Sequence, residues 1–228
     1  MQLILFDYGE TLIHEEYFDP FKGTEAVLKH SNSTVDIHEI QNLAYRFSKQ
    51  QRKYSIKEEI GNYIEIPNEM FQSYLYDYYG IEIYLSKKTM EEVFWDHAAP
   101  YVKCKGSEEL LNYLKKKGYK IGVISNIAFQ RDLLKKRLAR EFPNIEFDLV
   151  ITSADYGLRK PNSLLFELAL HIMKIEAKDT IYIGDSYNSD VLGALYSHIT
   201  PIYITEENID GVICKKNLKE VKEWFEHE

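Results

Sequence analysis

From Pro100 to the end of the chain, short apolar runs alternate with amphipathic stretches, and this alternation constrains the fold more than any other feature of the sequence. KIGVI at 120–124, FDLVIT at 147–152, TIYIG at 180–184 and PIYI at 201–204 have the length and bounded character of buried strands. Helical patterns fill the intervals. Ser107 with Glu108 and Glu109 is expected to open a helix as a capping serine and acidic first turn, and Lys115 to Lys117 with Gly118 to close it. Residues 129–142 form an amphipathic pattern stopped by Pro143, Pro161-Asn162 starts a helix running to Lys174, and a short helix follows Ser189. The segment 217–227 reads as a closing helix with Val221, Trp224 and Phe225 on one side. Strands joined through helices pair in parallel by crossover, so the expected core is a doubly wound parallel sheet with helices on both faces.

One strand lies outside this run. QLILF at 2–6 is a buried-strand pattern, and it is followed from 14 to 99 by helical rhythm with one extended piece at 81–85. Ile37, Ile40, Leu43, Ala44 and Phe47 recur at helical spacing, as do Met70, Phe71, Tyr74, Leu75 and Tyr78, then Met90, Val93 and Phe94. Ser86 is placed to cap the last of these helices. The chain is therefore read as an α/β core of 1–13 plus 100–228, interrupted by an all-helical insertion at 14–99. The insertion leaves from the C-terminal end of the first strand, where open α/β sheets bind ligands.

Composition narrows the partners. The formal net charge of −8 disfavours nucleic acid and anionic membranes, whereas a small phosphorylated molecule in a cleft remains compatible with it. Cys104 and Cys214 have no metal-ligand spacing and read as ordinary thiols of a reducing compartment. The apolar run at Leu3 to Phe6 is too short for a signal-peptide core, and no run reaches membrane-spanning length, so a cytoplasmic monomer or small homo-oligomer is expected.

The residues that carry chemistry fall in four segments, each at the C-terminal end of an expected strand or just beyond it. They are Phe6-Asp7-Tyr8-Gly9-Glu10-Thr11-Leu12, Val123-Ile124-Ser125-Asn126, Gly157-Leu158-Arg159-Lys160-Pro161, and Ile183-Gly184-Asp185-Ser186-Tyr187-Asn188-Ser189-Asp190 followed by Gly193-Ala194. Carboxylates on different strands, Asp7 and Asp185, suit a hard cation that prefers oxygen ligands. Asp190 either supports those ligands or takes a ligand position itself. Ser125 and Asn126 offer a hydroxyl and backbone amides to phosphate oxygens at a helix start. Lys160 supplies the positive charge that balances the carboxylates and the phosphoryl group. One carboxylate of such a site can attack phosphorus.

In this order the four segments resemble the four motifs of the haloacid dehalogenase-like superfamily. That resemblance implies a Rossmann-like core, a helical cap of four-helix-bundle type at 14–99, and Mg²⁺ as cofactor. It implies Asp7 as nucleophile, Ser125 and Asn126 as phosphate ligands, Lys160 as charge stabiliser, and Asp7, the Gly9 carbonyl, Asp185 and Asp190 at the metal. The implied activity is hydrolysis of a small phosphomonoester through an aspartyl-phosphate.

One position departs from the family pattern. Phosphatases of the superfamily usually carry a second aspartate two residues after the nucleophile, and here that residue is Gly9. The missing proton donor is worth ~10²–10⁴-fold in rate. Glu10 is the nearest substitute, with His14, Glu15 and Glu16 further candidates. Two other readings follow from the departure: a carbon–halogen hydrolase on the same scaffold, and a weakened module that binds a phosphorylated ligand without consuming it. Cap lysines (Lys22, Lys29, Lys49, Lys53) would be needed for phosphonate cleavage by Schiff base. Substrate choice is expected to lie in the cap, where Arg46, Lys49, Arg52 and Lys53 offer charge and Tyr45, Tyr54, Tyr63 and Tyr74 offer rings.

Overall fold

The computed structural model describes residues 2–54 and 64–227, with the side chains of 52–54 left out. Arg52, Lys53, Tyr54 and Tyr63, named above for substrate choice, lie outside the described side chains.

The first strand, β1 (Leu3–Phe6), is fully buried because it has parallel partners on both sides. A short strand, β2 (Ile13–Glu15), follows, and then four helices: α1 (Pro20–Leu28), α2 (Ile37–Tyr54), α3 (Asn68–Tyr79) and α4 (Lys87–Ala98). β3 (Tyr101–Lys103) returns antiparallel to β2, with His14 opposite Val102, so the two chain crossings into the helical insertion form a ribbon. After it come α5 (Ser107–Lys116), β4 (Lys120–Ser125), α6 (Arg131–Glu141), β5 (Leu149–Thr152), the single turn α7 (Ser153–Tyr156) and α8 (Ser163–Met173). The chain ends with β6 (Thr180–Gly184), a π-helical turn at Tyr187–Val191 running into α9 (Leu192–Tyr196), β7 (Thr200–Ile204), β8 (Ile213–Lys215) and α10 (Leu218–His227).

The main sheet has the order β5-β4-β1-β6-β7-β8, with every pairing parallel. The expected doubly wound core is therefore present. Alternation along β1 divides the interior: Ile4 and Phe6 join a cluster with Leu110, Leu134 and Val221, and Leu3 and Leu5 join one with Leu165, Phe166 and Ala194. Helices α5, α6 and α10 thus cover one face and α8 and α9 the other. The first cluster continues without a break through Tyr8 and Trp95 to Ile40 and Leu75, so the helical insertion shares a hydrophobic core with the sheet.

Local chemistry explains the element ends. The Asp19 carboxylate accepts from the backbone amides of Phe21 and Lys22 to start α1, with Pro20 in the first turn. Ser86 caps α4 as expected, accepting from the Thr89 amide, and Asn162 caps α8. Ser107 does not cap α5: Gly106 occupies the cap position with φ 85°, and the Ser107 hydroxyl is buried inside the first turn. A Cβ at Gly106 would stand 2.4 Å from the Lys219 amide nitrogen, so the close approach of α10 demands glycine there.

The extended piece expected at 81–85 is present, with an isolated bridge from Ile83 to Ser31. Two further expectations are corrected. Of the periodic set on α3, Leu75 is buried and Phe71 packs on the core, but Met70, Tyr74 and Tyr78 are exposed, and the helix also buries Asn68, Gln72 and Tyr76. The helix expected at 129–142 begins only at Arg131, because Phe129 leaves the helical path to stack on Trp95 with ring centroids 4.3 Å apart. Among the described residues no helix is long and apolar enough to cross a membrane. Cys104 and Cys214 are unpaired and half-buried.

Candidate active site

Strand register assembles the site. Phe6 is level with Val123 of β4 and Ile183 of β6. Asp7, one residue on, donates its amide to the Ile183 carbonyl at 2.9 Å and leaves the sheet between the ends of β4 and β6, beside Ser125 and Asp185. The third segment arrives from the loop between α7 and α8, carrying Lys160.

Lys160 is the centre of the arrangement. Its Nζ donates to Asp7 Oδ1 at 2.8 Å, to Asp190 Oδ1 at 2.6 Å and to the Tyr182 hydroxyl at 2.7 Å, which occupies all three protons of a buried ammonium. Burial alone would lower its pKa, but the carboxylates of Asp190 and Asp7 hold it above the usual lysine value. Asp190 is equally enclosed. Its Oδ1 faces Lys160 and, at 3.2 Å, the Tyr182 hydroxyl, while Oδ2 accepts from the Ser186 amide at 2.9 Å. The first turn of the π-helix brings it there, and a Cβ on Gly184 would lie 2.4 Å from its Cγ. Glycine before Asp185 is thus a packing requirement of Asp190.

Asp7, Asp185 and Asp190 each bring a carboxylate oxygen within 4.8 Å of the others. Burial pushes Asp7 up to about 7, with Lys160 opposing and the charges of Asp190 and Asp185 adding to the rise. Asp185 is also raised, by burial first and by Asp190 second. Three carboxylates face a single ammonium, so the fully ionised cluster carries an excess of two negative charges. A divalent cation with a taste for oxygen donors matches that excess in sign, size and ligand type.

The helix start expected at Ser125-Asn126 is absent, because helix α6 begins five residues later. The Asn126 side chain instead makes a reciprocal pair with the Lys160 backbone, accepting from its amide at 2.7 Å and donating to its carbonyl at 3.0 Å. Ser125 is buried at the end of β4, level with Thr152 of β5.

Glu10 turns away from the cluster: its carboxylate is exposed and pairs with His14 Nδ1 at 2.8 Å, from a backbone at φ 54°. Glu15 accepts from Trp95 Nε1 and from Arg137, a structural ion pair. Glu16 is exposed, as are Arg46, Lys49, Tyr45 and Tyr74. Tyr8 packs edge-on against Trp95 in the core. Around Gly9 a Cβ would meet nothing within 4 Å.

Several contributors escaped sequence reading. Thr11 donates to Asp185 Oδ1 at 3.1 Å, and Tyr182 joins Lys160, Asp190 and the Ile124 carbonyl. Thr11 stood inside the first segment without a role, and Tyr182 was a hydroxyl-bearing aromatic within an aliphatic strand, as Tyr203 is in the next. Glu65, in the helical insertion, is buried against the core, where it accepts from Ser153 Oγ at 2.6 Å and pairs with Arg159. Ser153 Oγ in turn accepts from the Ile127 amide. Backbone bonds from Glu65 to Gly157 and from Asn68 to Ala128 complete this seam, which borders both the Ser125 and the Lys160 segments.

A model of haloacid dehalogenase-like hydrolases matches residues 1–198, and the chain belongs to that family. It is 36% identical over 94 residues to a glyceraldehyde 3-phosphate phosphatase of Methanothermobacter thermautotrophicus, with 41% of each chain covered. It is 28% identical over 190 residues to the glyceraldehyde 3-phosphate phosphatase of Methanocaldococcus jannaschii, covering 82% of this chain and 78% of that one. The first of these matches thus spans less than half of the relative's length. The fold is similar to that of a 2-haloacid dehalogenase from Pseudomonas syringae pv. Tomato, with a TM-score of 0.68 at 18% identity over 100% of this chain and 99% of the other.

Proposed function

We propose that this protein is a magnesium-dependent phosphatase that hydrolyses a small phosphomonoester through an aspartyl-phosphate on Asp7. The carrying observation is the cluster of Asp7, Asp185 and Asp190 around a single buried Lys160. The carboxylates fit a hard dication, with Asp7, Asp185 and the Gly9 carbonyl as ligands. Asp190, whose two oxygens already have protein donors, supplies a further contact or holds Lys160 in place. Bound there, Mg²⁺ would neutralise the carboxylates and the phosphoryl oxygens and so let two anions approach.

The remaining steps belong to the chain's own groups. An Asp7 carboxylate oxygen attacks phosphorus, the bond to the leaving oxygen breaks, and the departing alkoxide takes a proton from solvent water. Water then attacks the same phosphorus, freeing phosphate and regenerating Asp7. As Asp7 turns to phosphorus, the Lys160 proton it accepted is freed to donate to an equatorial oxygen, and the Ser125 hydroxyl donates to another as charge develops there. Asn126 holds the Lys160 backbone so that this donor is positioned in advance. Residues 14–99 act as the cap over a core of 1–13 plus 100–228, and the Glu65 seam is the contact through which the cap shuts out water.

The names of the two archaeal relatives support a small phosphorylated substrate. A carbon–halogen hydrolase needs no cation, and the acidic cluster argues against it. The reading of a phospho-ligand binder with weak turnover is favoured by one observation: Gly9 lacks a proton-moving side chain and Glu10 is paired with His14 instead. A phosphate-release screen over phosphorylated metabolites, with and without Mg²⁺, decides. Release that requires Mg²⁺ supports the phosphatase, binding without release supports the binder, and metal-independent halide release from haloacids would overturn both.

A further inference from the structure

Tyr182 stands in TIYIG, a strand whose other side chains are aliphatic or small, and its ring packs edge-on against Phe166 with centroids 5.0 Å apart. A phenylalanine would fill the same space. The hydroxyl is the costly part, since a buried polar group destabilises the fold unless it is partnered. Here it is fully partnered. Adjacent strands lie about 4.8 Å apart, and Tyr182 is level with Leu5 of β1, so reaching β4 means crossing one face of β1. The side chain makes that crossing. Its Oη is 3.0 Å from the Ile124 carbonyl, 3.2 Å from Asp190 Oδ1 and 2.7 Å from Lys160 Nζ.

Counting protons fixes who gives and who receives. A lysine ammonium has donors and no acceptor, so the Tyr182 oxygen accepts from Lys160. The single phenolic proton goes to the Ile124 carbonyl or to Asp190 Oδ1. The three acceptors around Lys160 then differ in their obligations. Asp7 must turn away to attack phosphorus. Asp190 divides its oxygens between Lys160 and the Ser186 amide and belongs to the acidic cluster. The Tyr182 hydroxyl is neutral, stands apart from that cluster, and is anchored to the end of a neighbouring strand.

We propose that Tyr182 is a positioning residue: its hydroxyl keeps the Lys160 ammonium in place when Asp7 turns to phosphorus, so that the freed proton points at the transferring group. The contact stands on the structure alone, and its effect on turnover rests on the phosphatase reading. The freed proton reaches a phosphoryl oxygen only after Asp7 has turned. The benefit therefore falls in the transition state, and kcat rather than KM carries it.

The test compares the full-length parent with Tyr182→Phe, which keeps the ring against Phe166 and removes the oxygen. The first readout is the nitrogen-15 NMR signal of the Lys160 ammonium, recorded without substrate. In the parent, a nuclear Overhauser contact to the Tyr182 Hε protons is expected, with slow exchange of the buried ammonium protons. In Tyr182→Phe that exchange is expected to quicken at least about tenfold. The second readout is steady-state phosphate release with Mg²⁺, where kcat is expected to fall about 10–100-fold and KM to stay within about threefold. A parent lacking the contact, an unaltered ammonium signal in the variant, or a loss confined to KM would overturn the proposal. A lower Tm with unchanged kcat would do so too, because the hydroxyl would then serve the fold alone. A parent that releases no phosphate from any ester would instead remove the phosphatase reading, and the ammonium signal would still decide whether Tyr182 holds Lys160.

Discussion

The Asn126 side chain and the Lys160 backbone hold each other by two reciprocal hydrogen bonds, 2.7 and 3.0 Å long, and thereby tie the end of β4 to the segment that delivers the buried ammonium of the carboxylate cluster. Neighbours of this kind, which orient a reactive group without touching substrate, typically carry 10–100-fold effects. Asn126→Ala is expected to lower kcat by about that factor while cutting stability by roughly 1–3 kcal/mol, since a buried peptide unit loses both partners. Steady-state kinetics beside urea unfolding checks it. Unchanged kcat would mean that Lys160 is held by Asp7, Asp190 and Tyr182 alone.

Gly9 is open to substitution. No atom lies within 4 Å of a Cβ built there, so an aspartate side chain has room to enter. Gly9→Asp is expected to raise Mg²⁺-dependent phosphate release, by up to ~10²–10⁴-fold if proton transfer limits the rate. Absence of any gain, measured at substrate saturation, would show that another group already moves the proton.

Gly184 has the opposite character. A methyl group there would collide with Asp190 Cγ at 2.4 Å, in a region with no slack because Asp190 is bound to Lys160 and Ser186. Gly184→Ala is expected to destabilise the protein by about 1–3 kcal/mol and to weaken Mg²⁺ binding, read by calorimetric titration. Wild-type affinity for the cation in this variant would remove Asp190 from the metal site.

Stability should depend on pH through a residue far from the chemistry. Glu91 of α4 is 1% exposed, and burial, with the Glu69 charge adding, raises its pKa from 4.5 to about 7. A raised carboxyl pKa means the fold favours the protonated form. The associated stability is complete below about 4.5 and is lost as pH rises through about 7, amounting to at most about 3 kcal/mol. Glu91→Gln is expected to flatten this slope and to be more stable than the parent at pH 8. Thermal unfolding of the pair at pH 5 and pH 8 reads the effect, and parallel curves would refute it.

The core was legible because β-strand burial writes itself as apolar runs, and QLILF, KIGVI and TIYIG all became central strands. Asp7, Ser125 and Asp185 each end or follow such a run, and parallel register brings those strand ends together, whereas Lys160 and Asp190 reach the cluster from the loop after α7 and from the π-helical turn, further along the chain. What stayed hidden depends on contacts between distant segments. Nothing local distinguishes Asn126 as a partner of the Lys160 backbone, or Glu65 as a buried anchor on Ser153 and Arg159. Helical spacing caught only part of the α3 face: Leu75 is buried and Phe71 packs on the core, while Met70, Tyr74 and Tyr78 are exposed and the helix also buries Gln72 and Asn68. Hydrophobicity alone does not reveal such polar burial.

The proposed mechanism places a covalent phosphoryl group on Asp7, and the loss of a proton-moving side chain at Gly9 should make that intermediate slow to hydrolyse and easy to trap. Acid-quenched turnover with Mg²⁺ and a phosphorylated substrate found by screening, followed by peptide mass mapping, tests it directly. One added phosphoryl group is expected on the peptide containing Asp7, absent without Mg²⁺ and absent in Asp7→Asn, which should fold normally yet release no phosphate. Sustained phosphate release by Asp7→Asn, with no phosphoryl group on that peptide in the parent protein, would contradict it.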